Sequence, residues 1–263
     1  MKVNCFLSLL AVAALACLPA RADTIALDNG YDTGAIEWDH PGDFVSMNVF
    51  PTSMLAGLDI GQLQVAWGNE TGPAKVVLYS IANGYQLPHA APVDTSKLTP
   101  LLEVDPTVTS GETNVVYENS PPAQTPVAGN WTSYSITPTA ISTAYFAIAT
   151  IQYNPDSNNY ATSVLDMATS LPTNGSQGYS WLAFCNPPVT MSASLAEAGT
   201  GGLDASGSPS WVNDWSGYGY GNNPFLIRAQ TVAVPEPGTL ALLAAGLVGL
   251  ALAGVRARRR RGS

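Results

Sequence analysis

Phe44-Val45-Ser46-Met47-Asn48-Val49-Phe50 is a short segment rich in β-branched and aromatic residues, and it stops at Pro51. This composition and length are typical of a β-strand. Similar segments, divided by Gly, Pro, Asn and Asp, recur at Leu58 to Trp67, Lys75 to Tyr79, Leu98 to Val104, Asn114 to Tyr117, Thr132 to Ile136, Tyr145 to Ile151, Ser180 to Phe184 and Phe225 to Gln230. Helical periodicity appears nowhere at length between residues 23 and 230. We therefore predict an all-β domain over residues 23–230, an antiparallel β-sandwich of jelly-roll type.

Leu58 to Trp67 carries a shift in its alternating pattern. Leu58 and Ile60 are apolar on one side of Gly61, and Leu63, Val65 and Trp67 are apolar on the other, so the inward face moves by one residue across the glycine. Such a shift predicts a β-bulge at Gly61.

The C-terminal residues form a three-part segment. A Pro-Glu-Pro motif (Val234, Pro235, Glu236, Pro237) closes a linker at residues 231–238. The uncharged stretch 239–255 follows, and with Gly238 it would make a helix of roughly 27 Å, about the thickness of a bilayer's hydrocarbon core. The basic tail 256–263 contains Arg256, Arg258, Arg259, Arg260 and Arg261. This cluster predicts a transmembrane helix with its C-terminal end in the cytoplasm.

This order of motif, helix and arginine cluster resembles the PEP-CTERM sorting signal. The resemblance implies a partner, the membrane-embedded transpeptidase-like enzyme exosortase, which would cleave near Pro-Glu-Pro and deliver the ectodomain to the cell surface or the exopolysaccharide matrix. The two prolines hold Val234 and Glu236 extended, as a protease requires. The alternative is an ordinary tail anchor with a stiff linker.

The N-terminal residues predict export. Lys2, the apolar run Phe6 to Leu18 and the small-residue site Ala20-Arg21-Ala22 form a signal peptide, residues 1–22, so the mature chain would begin at Asp23. A lipoprotein signal ending at Cys17 is the alternative, although Ala14 stands where such a signal usually has Leu.

Charge and cysteine content restrict the function of the ectodomain. Residues 23–233 contain 18 acidic side chains against Lys75, Lys97 and Arg228, a net charge of −15. Such a surface repels nucleic acid and anionic membranes. Cys185 is the single cysteine after the signal peptide, so no intramolecular disulfide can form, and we expect it to be a small core residue.

The ectodomain also resembles the β-sandwich module that often precedes this sorting signal. The similar segments are Ala66-Trp67, Val76 to Tyr79, Tyr145 to Ile148, Leu165-Asp166, Gly178 to Trp181 and Asn223 to Ala229. This resemblance does not identify a ligand.

No catalytic motif is evident. His40 and His89 lie in Pro-containing loops, and the sequence has no Gly-x-Ser-x-Gly elbow, His-Glu-x-x-His helix or phosphate-binding loop. A carboxylate pair for glycoside hydrolysis stays open, because the spatial separation of Asp and Glu is not visible in a sequence. We expect no cofactor.

Two segments are candidates for ligand binding. Asn154, Asp156 and Asn158 alternate like the first ligands of a calcium loop, but Leu165 stands where a bidentate Glu is needed, and a plain Asn/Asp turn is the alternative. Trp211, Trp215, Tyr218 and Tyr220 alternate with Asn, Asp and Gly, a composition that suits stacking against a sugar. Rings that cover the edge of the sandwich are the alternative.

Together these features predict an exported, non-enzymatic protein of a Gram-negative bacterium. Its precursor would be anchored in the inner membrane, and its mature form would lie at the cell surface or in the biofilm matrix, where exopolysaccharide would be a further partner. The alternative is a carbohydrate-binding or carbohydrate-active β-sandwich protein with the same sorting signal.

Overall fold

The structure is a computed structural model that describes residues 22–28, 31–32, 34–35, 42–67, 72–86, 93–108, 125–126, 131–154, 164–165, 180–185, 211–212 and 225–232, with Leu195, Gly246 and Gly249. Its strands are β1 (Thr24–Ile25), β2 (Tyr31–Asp32), β3 (Gly34–Ala35), β4 (Gly42–Pro51), β5 (Asp59–Val65), β6 (Gly72–Ile81), β7 (Leu98–Val104), β8 (Thr107–Val108), β9 (Thr125–Pro126), β10 (Thr132–Thr139), β11 (Tyr145–Asn154), β12 (Val164–Leu165), β13 (Ser180–Cys185), β14 (Trp211–Val212) and β15 (Ile227–Val232). Two 3-10 helices span Thr52–Leu55 and Thr95–Lys97.

Two antiparallel sheets dominate the fold. One has four strands in the order β1-β15-β5-β10. The other has seven strands, in the order β14-β13-β4-β11-β6-β7 with β8 paired to β6. The prediction of an all-β antiparallel fold is confirmed, and the predicted strand Asn114 to Tyr117 lies outside the described residues.

The inner core lies between the two sheets. The four-stranded sheet supplies Ile60, Leu63 and Val65 of β5 and Ile227 of β15, which pack in one cluster with side chains of β4, β6 and β11. Within it the rings of Phe50 and Phe146 stack with centroids 5.1 Å apart. Two sheets that bury facing apolar sides in this way form a β-sandwich.

The other face of the seven-stranded sheet is also buried. Its outward-pointing side chains, among them Met47, Tyr79 and Trp181, form a second cluster with Val93 and Leu195. The seven-stranded sheet is therefore apolar on both sides, whereas antiparallel sheets commonly leave one face in water.

A polar residue of β4 joins the sheets within the inner core. Asn48 Nδ2 donates to the carbonyl oxygens of Phe225 at 2.7 Å and Ile227 at 3.3 Å, and its Oδ1 accepts from Phe225 N at 3.2 Å and Ser180 Oγ at 2.7 Å. Asn48 is fully buried. A buried amide with this many partners fixes one strand arrangement while avoiding the cost of unpaired polar atoms.

The irregularity predicted at Gly61 is present, but the extra residues belong to its partner strand. Ile60 and Leu63 are both buried, as the sequence pattern predicts. The register moves from Ser135 opposite Gln62 to Thr139 opposite Ile60, so β10 advances four residues while β5 advances two. The extra residues of this ladder are therefore in β10, where Pro138 has no N–H to leave unpaired, while β5 itself departs from alternation because Ile60 and Leu63 both pack in the inner core.

The chain divides into two compact units, residues 23–231 and residues 1–22 with 232–263. Of the second unit the structure describes Ala22, Val232, Gly246 and Gly249. The predicted transmembrane segment 239–255 thus lies almost wholly outside the described residues. Among those described, no helix has the length and apolar character needed to cross a membrane.

Candidate functional site

Most residues singled out from the sequence lie outside the described part of the chain. Trp211 is described by its backbone, which pairs with Ala183, and Asn154 by its backbone, which pairs with Gly42. The rest are outside it: Asp156, Asn158, Trp215, Tyr218, Tyr220, Val234, Pro235, Glu236, Pro237, Arg256, Arg258, Arg259, Arg260 and Arg261. The calcium, glycan and sorting assignments at these positions therefore stay predictions.

The two ends of the sandwich meet in what we name the terminal clasp, formed by Asp23, Ile25, Ala229 and Thr231. Ile25 is paired with Ala229 in the β1–β15 ladder, and both are buried. Thr231 N donates to Asp23 O at 2.9 Å, and Asp23 N donates to Thr231 Oγ1 at 3.0 Å. Thr231 is fully buried. Its bonds to Asp23 end the β1–β15 ladder at the first residue after the predicted signal peptide.

Arg228 reinforces this end of the sheet by contacting two other segments. Its Nε lies 3.0 Å from each carboxylate oxygen of Asp28, and its Nη2 also donates to Asp28 Oδ1. The Asp28 side chain is fully buried, so the charge-assisted pair is shielded from water. The guanidinium carbon lies 4.0 Å from the centre of the Trp131 ring. Arg228 thereby fixes the orientation of a partly exposed indole by a cation–π contact.

Side chains that point away from the inner core form what we name the outer polar face: Gln62, Gln64, Trp131, Ser133, Arg228 and Gln230. Strand alternation places them together, since Ser133 is directly opposite Gln64 and the intervening residues Leu63 and Val65 are buried. Gln64 Nε2 donates to Ser133 Oγ at 3.0 Å and to Gln62 Oε1 at 3.4 Å. The face is polar, and its one charge, on Arg228, is paired with Asp28.

A separate ion cluster lies on the seven-stranded sheet. Lys75 Nζ donates to Asp105 at 2.7 Å and also to Glu103. These hydrogen bonds raise the pKa of Lys75, and the bond from Lys75 lowers the pKa of Asp105. Burial raises the pKa of the Tyr79 phenol, with a further contribution from Glu103. Lys75 is thus held protonated, the opposite of what a nucleophilic or basic lysine needs.

The described residues do not bring together three or more His, Cys, Asp or Glu side chains that could hold a metal ion. His40 and His89 lie outside the described part of the chain. Cys185 ends β13, with its backbone opposite Asp43 of β4. The clearest arrangements in this part of the molecule are therefore the terminal clasp and the outer polar face.

Sequence reasoning did not identify these arrangements. Trp131 lies about 100 residues from Asp28 and Arg228, so their contact depends on the order of strands in the sheet. The available signal was the scarcity of cations: Arg228 is one of three in residues 23–233, and such a residue inside an alternating strand needs a partner.

Comparison with known proteins identifies no family. No family model matches the chain, and no curated protein matches it. Among solved structures, the chain is similar to one described as the cysteine protease and lectin-like domains of Cwp84, a surface layer associated protein of Clostridium difficile, with 11% sequence identity and a TM-score of 0.47. The similarity covers 82% of this chain and 37% of that chain. The chain thus spans little more than a third of that chain's length, and a similarity this low assigns neither ligand nor activity.

Proposed function

We propose that the protein is an exported, non-enzymatic β-sandwich component of the surface or extracellular matrix of a Gram-negative bacterium, processed by an exosortase at its Pro-Glu-Pro motif. The observation that carries the proposal is the position of the terminal clasp. In the described part of the chain the first strand begins at Thr24, one residue after Asp23, and β15 ends at Val232, two residues before Val234. Both limits of the sandwich therefore coincide with the processing signals that the sequence predicts.

Protein chemistry gives a reason for this coincidence. A protease binds its substrate as an extended, accessible segment, and a residue in a strand ladder is not accessible in this way. Thr231 is buried and hydrogen-bonded, whereas Pro235 and Pro237 cannot donate to a ladder. The motif thus follows β15 closely, at a position where a cut would remove no residue of that strand.

The proposal assigns a structural role to the ectodomain. Arg228 and Lys75, two of the three cations in residues 23–233, are engaged in ion pairs. In both sheets, strands distant in the chain lie side by side, as β1 and β15 do, which supports the jelly-roll connectivity that we propose.

The segment 239–255 would anchor the precursor in the inner membrane, and the arginine cluster would stay in the cytoplasm.

The test is the intact mass of the protein made from its complete coding sequence in a Gram-negative host that has an exosortase. We expect a chain that begins at Asp23 and ends near Pro-Glu-Pro, with any attached glycan or lipid visible as added mass. A chain that begins at a lipidated Cys17, or that keeps residues 239–263, would contradict the proposal.

Substitutions in the motif separate a sorting signal from a linker. Glu236→Gln, and Pro235→Ala combined with Pro237→Ala, should leave the precursor in the membrane and abolish release of the ectodomain. The matched control is Pro187→Ala with Pro188→Ala, which changes another proline pair outside the motif and should be processed normally. Unchanged processing of the motif variants would mean that Pro-Glu-Pro is only a spacer.

A further inference from the structure

We propose that the outer polar face is a binding site for a neutral glycan chain, with the Trp131 indole as the stacking ring and Gln62, Gln64 and Ser133 as hydrogen-bonding groups. The proposal does not depend on sorting, since a chain can be processed without binding sugar and can bind sugar without being processed.

The first support is that Trp131 is partly exposed and held in one orientation by Arg228. Its ring is partly exposed at the start of β10, and the Arg228 guanidinium stacks 4.0 Å from its centre. Arg228 is in turn held by the buried carboxylate of Asp28. A ring already fixed in one orientation loses little conformational entropy on binding, which favours affinity. Stacking on the C–H face of a sugar needs a flat, presented aromatic ring.

The second support is the hydrogen-bonding capacity beside the ring. Gln64 Nε2 is used within the face, by Ser133 and Gln62. Within the described residues, Gln64 Oε1 and Gln62 Nε2 make no hydrogen bond to the protein. One acceptor and one amide donor are therefore left for a ligand. Sugar hydroxyls donate and accept at the same time, and a surface of amides and hydroxyls matches both properties.

The third support is charge. The ectodomain has a net charge of −15, yet the one charged side chain of the outer polar face is neutralised by Asp28. Nucleic acid requires unpaired cations to contact phosphates, and a membrane surface requires an apolar or basic patch. The three strands that carry the face span about 10 Å, which gives room for two consecutive sugar units. A neutral, extended polyhydroxylated chain is the occupant that fits these properties.

The test uses the protein purified from cells that express the full chain, whether or not the cells have processed it. Native gel electrophoresis through dextran, mannan, xyloglucan or hydroxyethylcellulose measures affinity for neutral polymers, with alginate as the anionic comparison. We expect retardation by at least one neutral polymer and none by alginate. Trp131→Ala and Gln64→Ala should each weaken the affinity about fivefold.

The matched control is Tyr145→Ala, because Tyr145 is an exposed aromatic residue of the other sheet, 37% accessible to solvent. It should bind like the unaltered protein. If Trp131→Ala also lowers the melting temperature, the affinity of Gln64→Ala decides between the two explanations, since Gln64 is only half-buried and belongs to neither core cluster.

Three results would overturn the proposal. The first is absence of retardation by all four neutral polymers. The second is an equal loss of affinity in Tyr145→Ala, or a loss in Trp215→Ala without one in Trp131→Ala, which would move the site to the aromatic segment that follows β14 in the sequence. The third is a dimer, seen by sedimentation, that Trp131→Ala dissociates, because the face would then be an interface between copies of the chain.

Discussion

Asn48 binds the backbone of Phe225 through both ends of its side-chain amide, donating to the carbonyl oxygen at 2.7 Å and accepting from the N–H at 3.2 Å. The two residues are 177 positions apart, and one lies in the seven-stranded sheet while the other leads into β15 of the four-stranded sheet. The Asn48 side chain thus forms the pair of hydrogen bonds to the Phe225 backbone that a neighbouring strand would form. The sandwich is therefore held together by directional bonds as well as by apolar burial.

Asn48→Ala should lower the free energy of unfolding by about 3 kcal/mol, because several buried groups lose a hydrogen bond at once. The matched control is Ser46→Ala, two residues earlier on the same face of β4. Ser46 Oγ is buried and has no hydrogen-bond partner among the residues that the structure describes, so its removal should leave stability unchanged or raise it by up to about 1 kcal/mol. Chemical denaturation measures both. Equal losses in the two variants would mean that burial at this face, and not the Asn48 bonds, determines stability.

Gln152→Met should also stabilise the protein. Within the described ranges, both polar atoms of the Gln152 side chain are buried without a hydrogen-bond partner. Methionine is similar in volume and has no strong polar group, so we expect a gain of about 1 kcal/mol in the free energy of unfolding. A loss of stability would show that Gln152 is solvated by ordered water in the folded protein.

Lys75→Met should reduce stability in a pH-dependent manner. The bond from Lys75 lowers the pKa of Asp105 in the folded state, so its stabilisation is present above the unfolded carboxyl pKa, about 3.9, and is lost as pH falls through the folded value. The raised pKa of Lys75 means that the stabilisation is also lost in strong alkali, above about pH 10.4. We expect a difference of no more than about 1 kcal/mol between pH 5 and 9, since Asp105 is largely exposed, and a progressively smaller one as the pH falls below about 3.9. Lys97→Met is the control, because its contact with Asp94 is 4.0 Å long and exposed. A pH-independent difference for Lys75→Met would assign the effect to packing of its aliphatic stem.

Residues 23–232 expressed alone should fold into a soluble, β-rich protein, and residues 27–232 should be less stable by about 3 kcal/mol. The shorter segment lacks β1, with the buried Ile25 and the Asp23–Thr231 bonds. Far-UV circular dichroism and thermal melting test both statements. A spectrum dominated by helix, or equal melting temperatures for the two segments, would contradict them.

Much of the fold could be predicted from local pattern, since alternation of apolar and polar residues locates β5, β10 and β15 and even the irregularity opposite Gly61. Local pattern failed where a strand is buried on both faces. Ser46 and Asn48 alternate with apolar residues as if they faced water, yet both are fully buried, because the second sheet covers one side of β4 and the cluster around Trp181 covers the other. The contact between Arg228 and Trp131 was not predictable for a related reason, since it depends on strand order and not on spacing along the chain.

The position of β15 determines how the domain responds to mechanical load. β15 lies between β1 and β5, and it is the last strand before the segment that would attach the protein to a membrane or polymer. A pull on that segment acts along β15 and shears its ladders on both sides, so many hydrogen bonds resist together instead of opening one after another. An edge strand at the same place would peel away from a single neighbour. By ending the sandwich on an interior strand, the chain transmits tension into the sheet while the fold stays closed.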